Sequence, residues 1–483
     1  MAHKDLALQT VLRVLCEGEK EGAHVYALLQ HALEDDVLSA KDRAFVRMLA
    51  GECVKRRMSL DDIIDRYAVT KKSLKPVIRN ILRMGVCQIL FLDRVPDAAA
   101  VSSSVELARG RGFGNLTGFV NGVLRKVSSE KEHIEYSSIY TRYSVPQWIY
   151  DRLEETCGQQ ETQRMAEAFL KTPPLTLRLD MRLTGEAQAA LCDRMIREAV
   201  SAHPDCDAEG HPFFPFAMRL RRAGDVTKLY GYREGLWMVQ DAAAMLVAVC
   251  AGIRARDTVI DVCAAPGGKA LHAAELLCLR EAQAAGGGTV YAFDLTKEKC
   301  DKIRENVRRM RLDNVEVRQQ DARTILPELE GCADVVICDL PCSGLGVLAH
   351  KADVKYRLQP SDITELSALQ KEILTSAVRY LKEGGRLIYS TCTLTKEENG
   401  ETADWIKETL RLQPEDLRAY LPGVLREEVD EAHPERVTIL PGRYDTDGFF
   451  IARFVKGTVA GMRRETLRCG ETGREAAAAG EAP

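Results

Sequence analysis

No two of the fifteen cysteines in this chain form a CxxC pair; the closest are Cys338 and Cys342. The nine histidines are scattered, so no zinc-type ligand spacing exists. The first residues, MAHKDLALQT, lack the basic start and apolar core of a secretory signal. At 483 residues and without an export signal, a disulfide framework is not expected, and most cysteines read as small buried hydrophobes. No apolar run approaches the roughly 18 residues of a membrane helix. These absences predict a cytoplasmic protein that uses neither a metal nor a membrane. Charge of one sign is lacking too: the formal net charge is -4, so there is no global basic signal for nucleic acid. The basic clusters are local, at Lys55-Arg56-Arg57, Arg109 with Arg111, Arg125-Lys126, and Arg304 with Arg308, Arg309 and Arg311. Each of them is more often a solvated helix face than an RNA footprint, and alone they decide nothing.

What is present is the material for several large cores. The chain is 46% hydrophobic and 29% charged, and its length suggests two to four domains. Residues 1–133 read as all-helical. Apolar residues recur at helical spacing through Leu6, Val11, Leu12 and Leu15, and again through Val77, Ile78, Ile81 and Leu82. Residues 134–235 are mixed, with a strand signal in Thr172–Leu179 and a patternless, loop-like stretch over Ser201–Pro215. From 236 to 456 strands and helices alternate. Candidate strands are Thr258–Cys263, Thr289–Asp294, Val315–Asp321, Asp334–Leu340 and Gly385–Cys392. One helix runs through Cys300, Ile303, Val307 and Met310. Another starts near Ser361-Asp362, carries Ile363 to Leu381, and is expected to stop at Gly384-Gly385. The fold class is therefore multidomain: an N-terminal helical bundle, a small α+β linker segment, and a C-terminal α/β domain with a mostly parallel sheet. Residues 457–483 read as a disordered tail.

Ligands in open α/β sheets bind at the carboxyl ends of the strands. The five strands end in Cys263-Ala264-Ala265-Pro266-Gly267-Gly268-Lys269, Asp294, Asp321, Asp339-Leu340-Pro341-Cys342 and Ser390-Thr391-Cys392. Neither GxxxxGK[ST] nor GxGxxG is present, so Gly267-Gly268 is either a plain tight turn or a backbone approach to another ligand. Asp294 suits the two hydroxyls of a ribose, or a helix cap. Asp321 suits an exocyclic amine, or a turn. C5 of cytosine is a poor carbon nucleophile, and methylating it takes a thiolate that adds to C6, an acid near N3, and a methyl donor. Cys392, Asp339 and the glycine loop are residues of those types.

DVCAAPGGK (261–269), DLPCSGLGV (339–347) and YSTCTLTKEENG (389–400) resemble the motifs of the Sun/RsmB-type 16S ribosomal RNA cytosine-C5 methyltransferases. Val239–Ala243, NVRRMRLDNV (306–315) and DGFFIARF (447–454) support the resemblance. FVNGVLRKV (119–127), DRAFVRML (42–49) and LRMGVCQILFLDRVPDAAAV (82–101) are similar to the NusB-like RNA-binding domain fused to such enzymes. The resemblance implies a Rossmann-like domain that binds S-adenosylmethionine through Cys263–Lys269, Asp294, Asp321 and Asp339. It also implies that Cys392 is the nucleophile, that Cys342 assists product release, and that the partner is 16S ribosomal RNA, naked or in an early small-subunit particle. A monomer is expected. Four positions depart from the pattern: Ala270 for Thr, Asp180 for Asn, Ala243 for Ser and Ala352 for Pro. Two other readings stay open, an RNA-binding assembly factor with a vestigial enzyme fold, and the same chemistry on tRNA or large-subunit RNA.

Overall fold

The computed structural model describes residues 2–457 apart from 21, 35–36, 69–72 and 282–286. Of residues 2–5 and 280–281 only the backbone is described. The tail expected at 457–483 lies, but for its first residue, outside the described residues.

The chain forms two compact units. The first comprises residues 1–173 together with 347–359. Its helices include Ala2–Glu17, Ala40–Lys55, Pro76–Phe91 and Thr117–Ser129. The spacing that marks the first helix puts Ala7, Leu8, Val11, Leu12, Val14 and Leu15 on one buried face. Ile78, Ile81 and Leu82 of the third of these helices meet it in the same core. A Cβ on Gly85 would come within 2.6 Å of a Leu124 methyl, so a larger residue there would displace that side chain. Three further helices, Ile139–Tyr143, Gln147–Cys157 and Gln159–Phe169, also belong to this unit.

The later segment, 347–359, brings a short helix, Val354–Arg357. Ala352 joins the core of the unit, and Asp353 accepts from the Val25 amide at 3.2 Å. Tyr356 hydroxyl meets Ser144 Oγ at 2.8 Å. Lys355 is 1% exposed and donates to the Lys55 carbonyl at 2.9 Å. Burial, with Lys55 and Arg56 adding repulsion, pulls its ammonium down to about 7. The folded value lies below the unfolded one, so the cost of burying the charge is full below pH 7 and fades as pH rises towards 10.5. Lys355→Met is therefore expected to raise the thermal midpoint at pH 6 by several degrees. By pH 10 that advantage should be gone, because the variant has lost a hydrogen bond worth about 1 kcal/mol. Melting curves of both proteins across this pH range check it, and an equal difference at both ends would sink the explanation.

The second unit holds residues 174–346 and 360–483. Its smaller sheet is antiparallel, in the order β2-β3-β1-β4, from β1 (Leu175–Leu179), β2 (Asp207–Gly210), β3 (Ala217–Arg221) and β4 (Trp237–Val239). β2 falls inside the stretch expected to be loop. Its residues, Asp-Ala-Glu-Gly, are poor strand formers held by the ladder to β3.

The larger sheet contains β5 (Thr258–Asp261), β6 (Thr289–Asp294), β7 (Val315–Gln319), β8 (Ala333–Asp339), β9 (Leu381–Thr391), β10 (Gln413–Pro414), β11 (Arg436–Ile439) and β12 (Phe449–Val455). Its order is β10-β12-β9-β8-β5-β6-β7, with β11 paired to β12. β7, β6, β5, β8 and β9 are mutually parallel, and β12 runs antiparallel to β9. This is a Rossmann-like layer with an antiparallel edge. The helix expected to reach Gly384 ends at Ala377 instead. Leu381 pairs with Ala333, so Gly384 and Gly385 lie within β9 rather than past a helix. Sheet pairing and burial of Leu381 override the helical spacing that seemed to continue to it.

Candidate active site

β5 leads to β6 and β7 on one side, whereas β8 and β9 add on the other. The strand order reverses between β5 and β8, which opens a crevice beyond their carboxyl ends. The β5 loop supplies Cys263–Lys269 and the β8 end supplies Asp339–Cys342. Register places Asp339 beside Ser390 of β9, so Cys342 and Cys392 leave the sheet side by side. Their sulfurs are 3.4 Å apart.

Lys269 Nζ donates to Asp339 Oδ2 at 2.6 Å, and Ser390 Oγ donates to Oδ1 at 2.8 Å. Burial alone would lower the Lys269 ammonium, but Asp339 and then Asp261 outweigh it and hold the group above its ordinary value. The Phe449 ring centroid lies 5.4 Å from Nζ. The Cys342 thiol is raised well above its ordinary value, first by its hydrogen bond with Cys392 and then by burial. Two glycines let this end of the sheet close. A Cβ on Gly346 would sit 2.1 Å from the Gly448 carbonyl oxygen and 2.8 Å from that of Cys392, while the Gly346 amide donates to Cys392 O at 3.0 Å.

The loop after β5 is shaped for a ligand. Gly267 has φ +111°, and a Cβ there would meet Leu271 at 2.9 Å. Asp294, at the end of β6, is nearly buried. It accepts from the Ala265 and Leu295 amides at 3.0 and 2.8 Å, and Lys299 reaches it at 3.0 Å. Asp261 Oδ2 is buried without a partner, and burial raises this carboxyl to about 7. The Cys263 thiol is driven up by burial and by Asp261 beside it, so it is no nucleophile at neutral pH. The glycine turn, the acid at β6 and the unpartnered oxygen fit a nucleoside-bearing ligand. Asp321 stands apart. Arg323 grips its carboxylate through two guanidinium nitrogens and the backbone amide, which holds it below the usual range, and a ligand amine would have to compete with that grip.

Several residues of the site were not singled out as site residues from sequence. Glu398 is fully buried, accepts from the Ser343 amide at 2.8 Å and from Thr395 Oγ1 at 2.8 Å, and so fixes the residue next to Cys342. Its only signal is its place in YSTCTLTKEENG. Asp241 caps the helix Ala242–Cys250 and accepts from Thr446 Oγ1 at 2.6 Å, which ties QDAA to DGFF. Burial first and Asp447 second push its carboxyl up to about 6. Two departures also gain a reason. Asp180 binds Arg182 at 2.9 Å, and Arg182 in turn donates to the carbonyls of Met310 and Arg311. Ala352 fills core space in the first unit. Arg309 of the basic helix Lys297–Met310 is spent internally: it donates to the Tyr232 and Trp237 carbonyls and stacks on Tyr232. Among the described residues one group could converge on a metal, Asp404, His433 and Glu435, but Arg436 already donates to Asp404 at 2.9 Å and stands 4.0 Å from Glu435.

Comparison with known proteins gives consistent results. Residues 249–455 match the family model described as 16S rRNA methyltransferase RsmB/F, and residues 1–129 match the NusB family. A Bacillus subtilis protein named "Probable ribosomal RNA small subunit methyltransferase B" is 31% identical over 462 residues, covering 94% of this chain and 98% of that one. The ribosomal RNA small subunit methyltransferase B of Klebsiella pneumoniae is 30% identical, with 94% and 98% covered. Of solved structures, PH0851 superposes with a TM-score of 0.70 at 24% identity over 92% of this chain and 98% of that one. NSun6 from Pyrococcus horikoshii with SFG gives 0.53 at 19% identity, over 65% of this chain and 98% of that one. These two likenesses concern the fold. No helix among the described residues is long and apolar enough to cross a membrane.

Proposed function

Because the chain belongs to the RsmB/F family of 16S rRNA methyltransferases, we propose that it methylates C5 of a specific cytosine in 16S ribosomal RNA, with Cys392 as covalent nucleophile. The observation that carries this reading is the 3.4 Å approach of the Cys342 and Cys392 sulfurs beside the Lys269–Asp339 pair. S-adenosylmethionine, the methyl donor of this family, supplies an electrophilic carbon on a sulfonium when bound. The loop Cys263–Lys269 would hold it, with Asp294 on the ribose hydroxyls, Asp321 towards the adenine amine, and Asp339 beside the methyl-bearing end.

The target base has to leave its stack to reach a sulfur at a strand end. The Cys392 thiolate adds to C6, forming an S–C6 bond and turning C5 into an enamine-like carbon. The Cys342 thiol, raised well above its ordinary value by its contact with Cys392 and by burial, stays protonated and lies 3.4 Å from the Cys392 sulfur, within reach of a hydrogen bond to it. The Lys269–Asp339 pair brings a proton donor towards N3 while charge builds on the ring. C5 takes the sulfonium methyl as the S–CH3 bond breaks and its electron pair stays on that sulfur. A base then takes the C5 proton, and N3 returns its proton to the Lys269–Asp339 pair. The C–H electrons restore the C5=C6 bond and expel Cys392 as thiolate. The Cys342 S–H, next to the departing sulfur, stabilises that thiolate as it forms.

The test is methyl transfer from labelled S-adenosylmethionine to protein-free 16S RNA, mapped by bisulfite sequencing. One protected cytosine supports the reading. No methylation by protein that binds the methyl donor and the RNA would overturn it for this substrate. Cys342→Ala is expected to lose most turnover and to accumulate an RNA–protein adduct that survives denaturing electrophoresis. A variant that turns over normally and leaves no adduct would remove Cys342 from product release.

A further inference from the structure

The first unit contains a cavity of about 530 Å³, walled by the helical core on one side and by residues 353–359 on the other. That volume falls within the range of small-ligand sites. Its walls are rich in cation. Arg83 is already matched, by Asp61 at 2.7 Å and by Glu19. Arg57 is different: among the described residues it forms no ion pair, and its guanidinium lies 5.2 Å from the centre of the Tyr356 ring. Arg357 faces Asp353 only loosely, at 3.6 Å, and its Nε is buried with no hydrogen-bond partner. An unmatched guanidinium and an orphaned buried N–H in one cavity call for an anionic acceptor.

The carboxylates decide how much negative charge fits. Glu19 and Asp353 also line this cavity, so a polyphosphate would face repulsion that a single phosphate avoids. Carboxylates also accept from sugar hydroxyls and exocyclic amines. We infer that this cavity is a binding site for one ribonucleotide, with its phosphate on Arg57 and Arg357 and its hydroxyl or amine groups towards Glu19 and Asp353. The nucleotide is one unit of the bound RNA strand, which rests on the RNA substrate proposed above; a free nucleoside monophosphate has the same chemistry.

The test uses the full-length protein and an Arg57→Gln/Arg357→Gln double variant. Filter binding of a 16S RNA transcript is measured over a series of salt concentrations, and calorimetry follows binding of adenosine 5′-monophosphate. The expected result is an affinity for the transcript about tenfold weaker in the variant. The slope of log affinity against log salt should shrink by about 0.7, the share of one phosphate on a single strand. If transcript binding is unchanged but wild type binds the monophosphate and the variant does not, the site takes a free nucleotide, and the inference still stands. Unchanged transcript binding with no monophosphate binding by wild type overturns it. Should the double variant melt early, Arg57→Lys and Arg357→Lys are read singly. Each keeps its charge but loses the forked donors, and unaltered affinity in both counts as the overturning result. If wild type leaves the transcript unmethylated while the binding differences persist, the methylation reading fails and the nucleotide site survives.

Discussion

Cys392→Ala is expected to abolish methyl transfer, with a loss of more than about a thousandfold, because it removes the nucleophile and leaves only the neighbouring Cys342 thiol, which is held protonated. Binding of S-adenosylmethionine should be unchanged, since Cys392 is not in the loop that would hold the methyl donor. The thermal midpoint should move little, because the half-buried side chain loses only its sulfur. No RNA–protein adduct should form. The contrast with Cys342→Ala makes the pair informative. Both variants lose turnover, but only the Cys342 variant should accumulate adduct, because it can form the S–C6 bond and releases it poorly. Labelled methyl transfer and denaturing gels on the same two proteins separate the roles. Adduct in the Cys392 variant would exchange the assignments, and wild-type turnover by that variant would discard the covalent mechanism.

Glu275→Ala is expected to lower the stability of the second unit by about 3–5 kcal/mol, or roughly 10 °C in thermal midpoint for a unit of this size. Arg178 and Glu275 are both wholly buried and are bonded to each other. Arg178 also donates to Gln240 Oε1 at 2.7 Å. Removing Glu275 leaves a guanidinium charge in the interior with one neutral partner. The effect should reach the site as well, because Glu275 is on the helix Gly268–Glu281 that follows the glycine loop, and Gln240 lies 3.5 Å from the position of a Cβ on Gly268. The pair is incompletely satisfied: Arg178 Nη2, Glu275 Oε1 and Gln240 Nε2 have no partner. An Arg178→Met/Glu275→Leu double variant should therefore recover most of the lost stability. Thermal melts of the single and double variants check this, and a double variant no more stable than Glu275→Ala would show that the ion pair itself holds the unit together.

The strands that build the crevice were legible because they are short apolar runs ending in chemistry-bearing residues. Thr289–Asp294 is found at its expected bounds, and β8 begins one residue early at Ala333. What escaped was set by contacts distant in sequence. β2 exists through pairing with β3, not through its own residues. The reversal at Leu381 depends on Ala333, which local spacing cannot reveal. At the crevice, Asp294, Asp339, Cys342 and Cys392 are recognisable by type and by their places at strand ends, whereas Asp321, chosen on the same grounds, is held by Arg323. Lys269 read only as part of a ligand loop; its ion pair with Asp339 needs the third dimension. Arg309 misled in the opposite direction, since a basic helix looks the same in sequence whether its arginines face solvent or bind carbonyls inside the unit.

The membership of residues 347–359 in the first unit bears on how such a chain can be inherited. They begin at the last residue of DLPCSGLGV, so the reading frame of the catalytic half encodes part of the helical half's interior. A descendant that discarded residues 1–173 would strand Ala352, Lys355 and Tyr356, whose surroundings were shaped by the lost helices. Deletion of the front of the gene would have to be matched by rewriting a stretch in its middle. Two modules otherwise free to be shuffled are thus committed to evolve as one.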